Sequence, residues 1–152
     1  MTLEAALFAY LSGLTPIQTL LKDATTGQTR IYPDVLPEKV TYPAVSYFRV
    51  STAEIVTLDG PTGYADARMQ FSIWSANVPK IDGTTRGGKA DVLAVRGALR
   101  TALNGYQGVM SGVTIRGISL EPDSEHDLYE EKTRSYHRAI DFKIAYIEQS
   151  DE

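Results

Sequence analysis

The sequence predicts an α+β fold: a mainly antiparallel sheet with two helices packed on one face, in the order α-β-β-β-α-β-β. Three observations lead there. Apolar residues recur at helical spacing near the N-terminus and again over residues 89–103, and strict two-residue alternation marks residues 67–74 and much of 136–146. The third is their order, a helix, then strands, then a helix, then more strands.

Thr2 is placed to cap a first helix along which Leu3, Ala6, Leu7, Tyr10, Leu11 and Leu14 form an apolar stripe. Thr15 followed by Pro16 looks like a fresh cap and first-turn proline for a short second segment. The other side of the first helix is unusual: Ala5, Phe8, Ala9 and Ser12 supply no charge where a solvated face would have several. That flank is a candidate subunit contact. From Ala44 to Thr57 the chain is rich in β-branched and aromatic residues, and Pro43 favours an extended conformation before it. In the next strand Ala67, Met69, Phe71 and Ile73 alternate with Arg68, Gln70, Ser72 and Trp74, as in a sheet with one face on a core. Between these strands Leu58, Asp59, Gly60, Pro61, Thr62, Gly63 and Tyr64 make a turn-rich connection, so the pair is a long hairpin.

A second helix is expected from about Lys89 to Leu103, with Val92, Val95, Leu99, Ala102 and Leu103 on its buried stripe and Gly105 as its stop. Val113 to Glu121 reads as a strand whose apolar parity switches at Gly117, as at a β-bulge. In the last strand Tyr136, Ile140, Phe142, Ile144 and Tyr146 share a face with Arg138, while His137, Asp141 and Lys143 point to the solvated side. Polar loops are expected around residues 23–29, 57–64 and 77–88.

Composition bounds the chemistry. The chain has 152 residues, 43% apolar and 22% charged, with a net charge of −4, and reads as one domain over residues 1–152. A chain of this size buries roughly 68–70% of its unfolded surface, enough for a core without a staple. Cysteine is absent, which removes disulfides, thiolate metal sites and thiol nucleophiles. Residues 5–21 carry no charge, but Ser12, Gly13, Thr15, Pro16, Gln18 and Thr19 interrupt them, so neither a spanning helix nor a signal peptide fits. A cytoplasmic site of synthesis follows as the expectation. Net acidity argues against general nucleic-acid binding, which needs clustered cations.

The most enzyme-like string is Gly83-Thr84-Thr85-Arg86-Gly87-Gly88-Lys89-Ala90, which matches G-x-x-x-x-G-K ahead of a helix. A phosphate loop also needs Ser or Thr after the lysine to ligate magnesium, and Ala90 stands there. The string is separated from the preceding strand by Ser75 to Asp82, so a polar loop leading into a helix is the better reading. Asp123, Glu125 and Asp127 alternate, yet an EF-hand begun at Asp123 would meet Leu128 where glycine and Arg134 where glutamate is required. His126, in that acidic turn, and His137 have no ligand spacing, and Ser111 lies outside any G-x-S-x-G elbow. No cofactor or metal is expected. Residues 80–100 carry a net charge of +3 and residues 121–152 one of −6. Opposite patches on one chain suit head-to-tail association, although Lys89, Arg96 and Arg100 can equally snorkel over the core.

Several segments, read in order, resemble the tail completion (tail terminator, tail-to-head joining) family of long-tailed bacteriophages. They are Arg30-Ile31-Tyr32-Pro33 with Val35-Leu36-Pro37, Tyr42-Pro43-Ala44-Val45, and Thr57-Leu58-Asp59-Gly60-Pro61-Thr62-Gly63 before Ala67 to Trp74. Then come the Ala-rich helix with Asn104-Gly105, Asp127-Leu128-Tyr129-Glu130, and Tyr136-His137-Arg138-Ala139-Ile140-Asp141-Phe142. The residues at 23–29 and 77–89 look longer than that family's usual connections.

The resemblance implies a virion protein, assembled in the host cytoplasm, that forms a homohexameric ring at the head-proximal end of the tail. Such a ring ends tail tube polymerisation and meets the head connector or stopper protein. DNA passes through without specific binding, and no membrane is involved. The hairpin residues Leu58 to Tyr64 would reach a neighbour or the tube protein, and Glu54, Asp66, Asp123, Glu125 and Asp127 are candidates to line the bore, since clustered cations there would hold phosphates. Two other classes stand beside it: a P-loop-like nucleotide-binding enzyme using residues 83–89, and a small dimeric ligand-binding α+β domain.

Overall fold

The computed structural model describes residues 2–23, 26–38, 40–76, 88–122, 124–131 and 135–147. Helices α1 (Leu3–Ser12) and α2 (Thr15–Leu21) precede strands β1 (Ile31–Pro33), β2 (Ala44–Thr57) and β3 (Gly60–Ala76), then come helix α3 (Gly88–Leu103) and strands β4 (Gly108–Met110), β5 (Val113–Leu120), β6 (His126–Glu130) and β7 (Ser135–Ile147). The α+β class is as expected. The element order is not: a third helix and further short strands appear, and β1 pairs β2 in parallel.

The sheet runs β1-β2-β3-β7-β5-β4, with β6 also paired to β7. One long strand thus carries two partners on the same edge: β5 pairs with residues 142–146 of β7 and β6 with residues 135–139. Between them the chain steps out of the ladder, and Ser124 holds the step by donating to the Glu121 carbonyl (2.8 Å) and accepting from the Asp141 N–H (3.2 Å). In β5 the register shifts between Ile115 and Gly117, the bulge that the parity switch predicts.

All three helices pack on one face of the sheet. Leu3, Leu7 and Leu11 of α1, Ile17 and Leu21 of α2, and Val92, Val95, Leu99 and Leu103 of α3 join Met69, Phe71, Ile73, Ile140, Phe142 and Ile144 in one core. Phe71 sits at its centre, stacked on Tyr47 at 5.8 Å and edge-on to Phe142 at 5.8 Å. Burying each such ring is worth roughly 1.5–3 kcal/mol. Thr2 caps α1 as expected, accepting from the Ala5 N–H at 3.2 Å. Thr15 does not cap α2; it lies inside the helix, and the cap residue Leu14 makes no side-chain bond.

Arg30 ties the N-terminal half together. It is 2% exposed, and its guanidinium donates to the Pro43 carbonyl (2.8 Å) and the Leu20 carbonyl (3.2 Å). Its own carbonyl accepts from the Val45 N–H at 3.0 Å, where β1 enters alongside β2. The Arg30 and Pro43 strings are therefore two halves of one clip.

The face away from the helices is not the fully solvated surface that alternation predicts. Ser46, Ser72, Ala139 and Asp141 are buried there, and Trp74 stacks on His137 with ring centroids 3.9 Å apart. Asp141 accepts from Arg68 Nε at 2.7 Å. Among the described residues, small side chains and cross-strand pairs, with no helix, cover part of this side of the sheet.

Candidate functional site

Two of the surfaces that the described residues leave in solvent bear on the sequence expectations. On α1, Ala5, Phe8 and Ala9 are exposed and Ser12 is half-buried, its hydroxyl donating to the Phe8 carbonyl at 2.6 Å. Phe8 keeps 38% of its surface in solvent. It lines a cleft of about 470 Å³ with Ser12, Gln18, Lys22, Ile31, Tyr32 and Pro33 among others. The uncharged flank is thus one wall of a groove, and sequence periodicity could not show the other wall. That wall is β1, three residues long and placed by pairing with β2.

Glu4, the acid at the start of α1, does not add its charge to the flank. It turns to the sheet, where Arg49 donates to both carboxylate oxygens at 2.7 and 3.1 Å and to the Tyr146 hydroxyl at 2.9 Å. Burial pulls the Arg49 guanidinium down, but the hydrogen bond and charge of Glu4, with Tyr146, outweigh it and hold the pKa above the ordinary value.

The second surface is the β2–β3 ribbon. The residues expected to form a loop are mostly strand: only Leu58 and Asp59 turn, and Thr57 pairs with Gly60 and Val56 with Pro61. Gly60 takes φ +117°, a conformation open to glycine and strained for other residues. Thr62 donates to the Ile55 carbonyl at 2.6 Å, and its hydroxyl accepts from the Tyr64 N–H at 3.3 Å, stiffening the tip. Among the described residues the last pairing of β3 with β7 is Tyr64 with Ile147, and the ribbon continues beyond it. Ile55, Val56 and Leu58 are exposed along it, Leu58 completely, and Val50 is exposed further back on β2, at the bulge beside Arg49. A soluble surface seldom gathers so many apolar side chains without a partner.

The acidic candidates do not share one surface. Glu54 lies opposite Ala65 on the helix side of the ribbon and is exposed, whereas Asp66 lies opposite Ala53 and Ala145 on the other face, 3.6 Å from Lys143. Glu125 and Asp127 are not a solvated acidic turn. Arg96 grips Glu125 at 2.6 and 2.8 Å, and Arg138 grips Asp127 at 2.5 and 2.8 Å. The Arg96 hydrogen bond first, then charge, holds the Glu125 carboxyl below its ordinary range, and Arg138 does the same for Asp127. Part of the opposite-charge pattern is thereby satisfied within the chain. Asp123 falls outside the described residues.

The histidines also differ from expectation. His126 is on strand β6, exposed, with Nδ1 3.2 Å from the Ser124 carbonyl. His137 is half-buried beneath Trp74, and burial, aided by His126, lowers its pKa. Ser111 occupies the turn between β4 and β5. Among the described residues no group of His, Asp or Glu is arranged to hold a metal, and no helix is long and apolar enough to cross a membrane. Residues 83–87 of the phosphate-loop string lie outside the described residues; Gly88, Lys89 and Ala90 form the first turn of α3.

The long ribbon and the clip joining residues 30 and 43 coincide with strings quoted for the tail completion family, and residues 5–147 match the family described as "Tail completion protein gp17". The chain belongs to that family. It is a structural protein of phage-type tails. Its fold is similar to that of a chain in the virion of a native gene transfer agent particle, with a TM-score of 0.69 and 20% identity over 95% of this chain and 93% of that one. No curated protein sequence matches significantly.

Proposed function

We propose that this tail completion protein closes into a homohexameric ring at the head-proximal end of the tail, where it ends tube growth and joins the tail to the head connector. The observation that supports this best is the uncharged flank of α1, which the described residues leave largely in solvent beside an open cleft. Copies side by side would cover Ala5, Phe8, Ala9 and Ser12 and remove that apolar surface from water. The ribbon ending at Leu58 and Asp59 would reach a neighbour or the tube. Of the acids suggested for the bore, Glu54 is better placed than Glu125 and Asp127, whose charge is taken up by arginines, and than Asp66, which lies on the other face beside Lys143. The role is structural, without a cofactor. Ala90 in place of a magnesium-ligating hydroxyl leaves the nucleotide-enzyme reading without support.

The test is electron microscopy of tails assembled with and without the protein. Overgrown or headless tails are expected without it, and normal tails in its absence would overturn the reading. Phe8→Asp should keep the fold and abolish ring closure, read by light scattering of the free protein and by its retention on tails.

A further inference from the structure

The exposed tip of the ribbon has a counterpart elsewhere on the same chain. A cleft of about 210 Å³ opens between the start of α3 and the β6–β7 hairpin, lined by Lys89, Leu93, Leu128, Tyr129 and Tyr136 among others. Leu93, Leu128 and Tyr129 are three of the chain's exposed large apolar residues, and they gather at this one place. Lys89 sits at its edge with a positive charge. On the ribbon, Leu58 is fully exposed and Asp59 follows it with a negative one. Asp127 also lines the cleft, but Arg138 holds its carboxylate, so Lys89 supplies the charge left over, and knob and hole match in character and sign.

They cannot meet within one molecule. The cleft lies where β7 begins, at Tyr136 and His137, while the ribbon projects beyond Tyr64, opposite Ile147 at the far end of β7. At about 3.3 Å per residue along β3, from Ser75 opposite Tyr136 out to the tip at Asp59, the sheet keeps them roughly 50 Å apart. Complementary features at opposite ends of a rigid sheet describe a heterologous contact, which closes into a ring when the rotation allows. We propose that the Leu58–Asp59 tip of one copy seats in the cleft of the next copy, with Leu58 among Leu93, Tyr129 and Tyr136 and Asp59 paired with Lys89. This rests on the reading that the chain assembles with copies of itself, and it names the two surfaces that meet.

The absence of cysteine makes the test direct. Leu58→Cys and Leu93→Cys proteins, each checked for a wild-type melting profile, are mixed and treated with a short bismaleimide, both free at high concentration and within assembled tails. A covalent dimer is expected from the mixture and not from either variant alone, and the double variant should give a ladder of multimers. Charge reversal gives a second measurement: Asp59→Lys should weaken self-association at least about tenfold, and adding Lys89→Asp should recover most of the loss. No cross-link in assemblies that sedimentation shows to be multimeric overturns the contact and leaves the ring standing. No multimer either free or on tails overturns both. A cross-link from position 58 to itself, or from position 93 to another tail protein, overturns the contact as well.

Discussion

Replacing Arg30 tests the clip on which the N-terminal half of the fold depends. The side chain is buried, its charge has no carboxylate within salt-bridge reach among the described residues, and burial first of all lowers its pKa, opposed by Asp23 and Tyr32. Two bonds from the charged group to the Pro43 and Leu20 carbonyls offset that cost. Bonds of this kind contribute about 1.5–3 kcal/mol each, and truncation leaves both carbonyls without that donor and a cavity in place of the stem. Removing the charge returns part of the desolvation cost. Arg30→Ala should then lose about 3–5 kcal/mol, and Arg30→Met, which refills the stem volume, about 1–3 kcal/mol. For a chain of this size each kcal/mol moves the melting temperature by roughly 2–4 °C, so Arg30→Ala should melt at least about 6 °C lower. Arg30→Lys should fall between, because one ammonium cannot reproduce the planar fork. Urea unfolding followed by the fluorescence of the single tryptophan, Trp74, measures all three. A loss under about 1 kcal/mol for Arg30→Ala would refute the reasoning, since the carbonyls would then be satisfied without the guanidinium.

Other sites have different consequences. A Cβ on Gly88 would come within 2.8 Å of Tyr136 Cδ2 and 2.9 Å of the Ala76 backbone, so Gly88→Ala should cost about 1–3 kcal/mol despite the better helix propensity of alanine, measured as a lower urea midpoint. His137 is held below its ordinary 6.5 by burial, so the unfolded chain takes the proton first; its contribution to stability is complete above pH 6.5 and declines as pH falls towards the folded value. His137→Phe should keep the stack on Trp74 and flatten that part of the stability profile, and an unchanged slope would remove His137 as its source. Glu125→Gln should loosen the hold of Arg96 on the β5–β6 step, seen as faster amide exchange in β6 while the β3–β7 ladder keeps its protection, and the effect should shrink in high salt.

The path from sequence to site divides by range of interaction. The Thr2 cap, the bounds of β2, the bulge at Gly117 and the core face of β7 could be read directly, because each depends on residues a few positions apart and on one dominant period. The pairing of β1 and the existence of β6 could not: each strand is short, and its hydrogen-bond partner is a strand whose choice is not written locally. The turn-forming residues Gly60 to Gly63 suggested a loop, but pairing across β2 and β3 carried the ladder almost to the tip. His137 and Asp141 fell on the polar parity of β7 and were expected in water, and only their neighbours Trp74 and Arg68 across the ladder show why they are not.

Taken by itself, the order of residues determined the helix-and-sheet class, the exclusion of thiol chemistry, the uncharged flank of α1 and the existence of a long hairpin, since composition and local periodicity need no partner to act. Tertiary structure decided which acids carry free charge, which wall faces Phe8 and how far the ribbon projects. Those are questions of distance between residues tens of positions apart, and only the folded sheet brings them together or holds them apart.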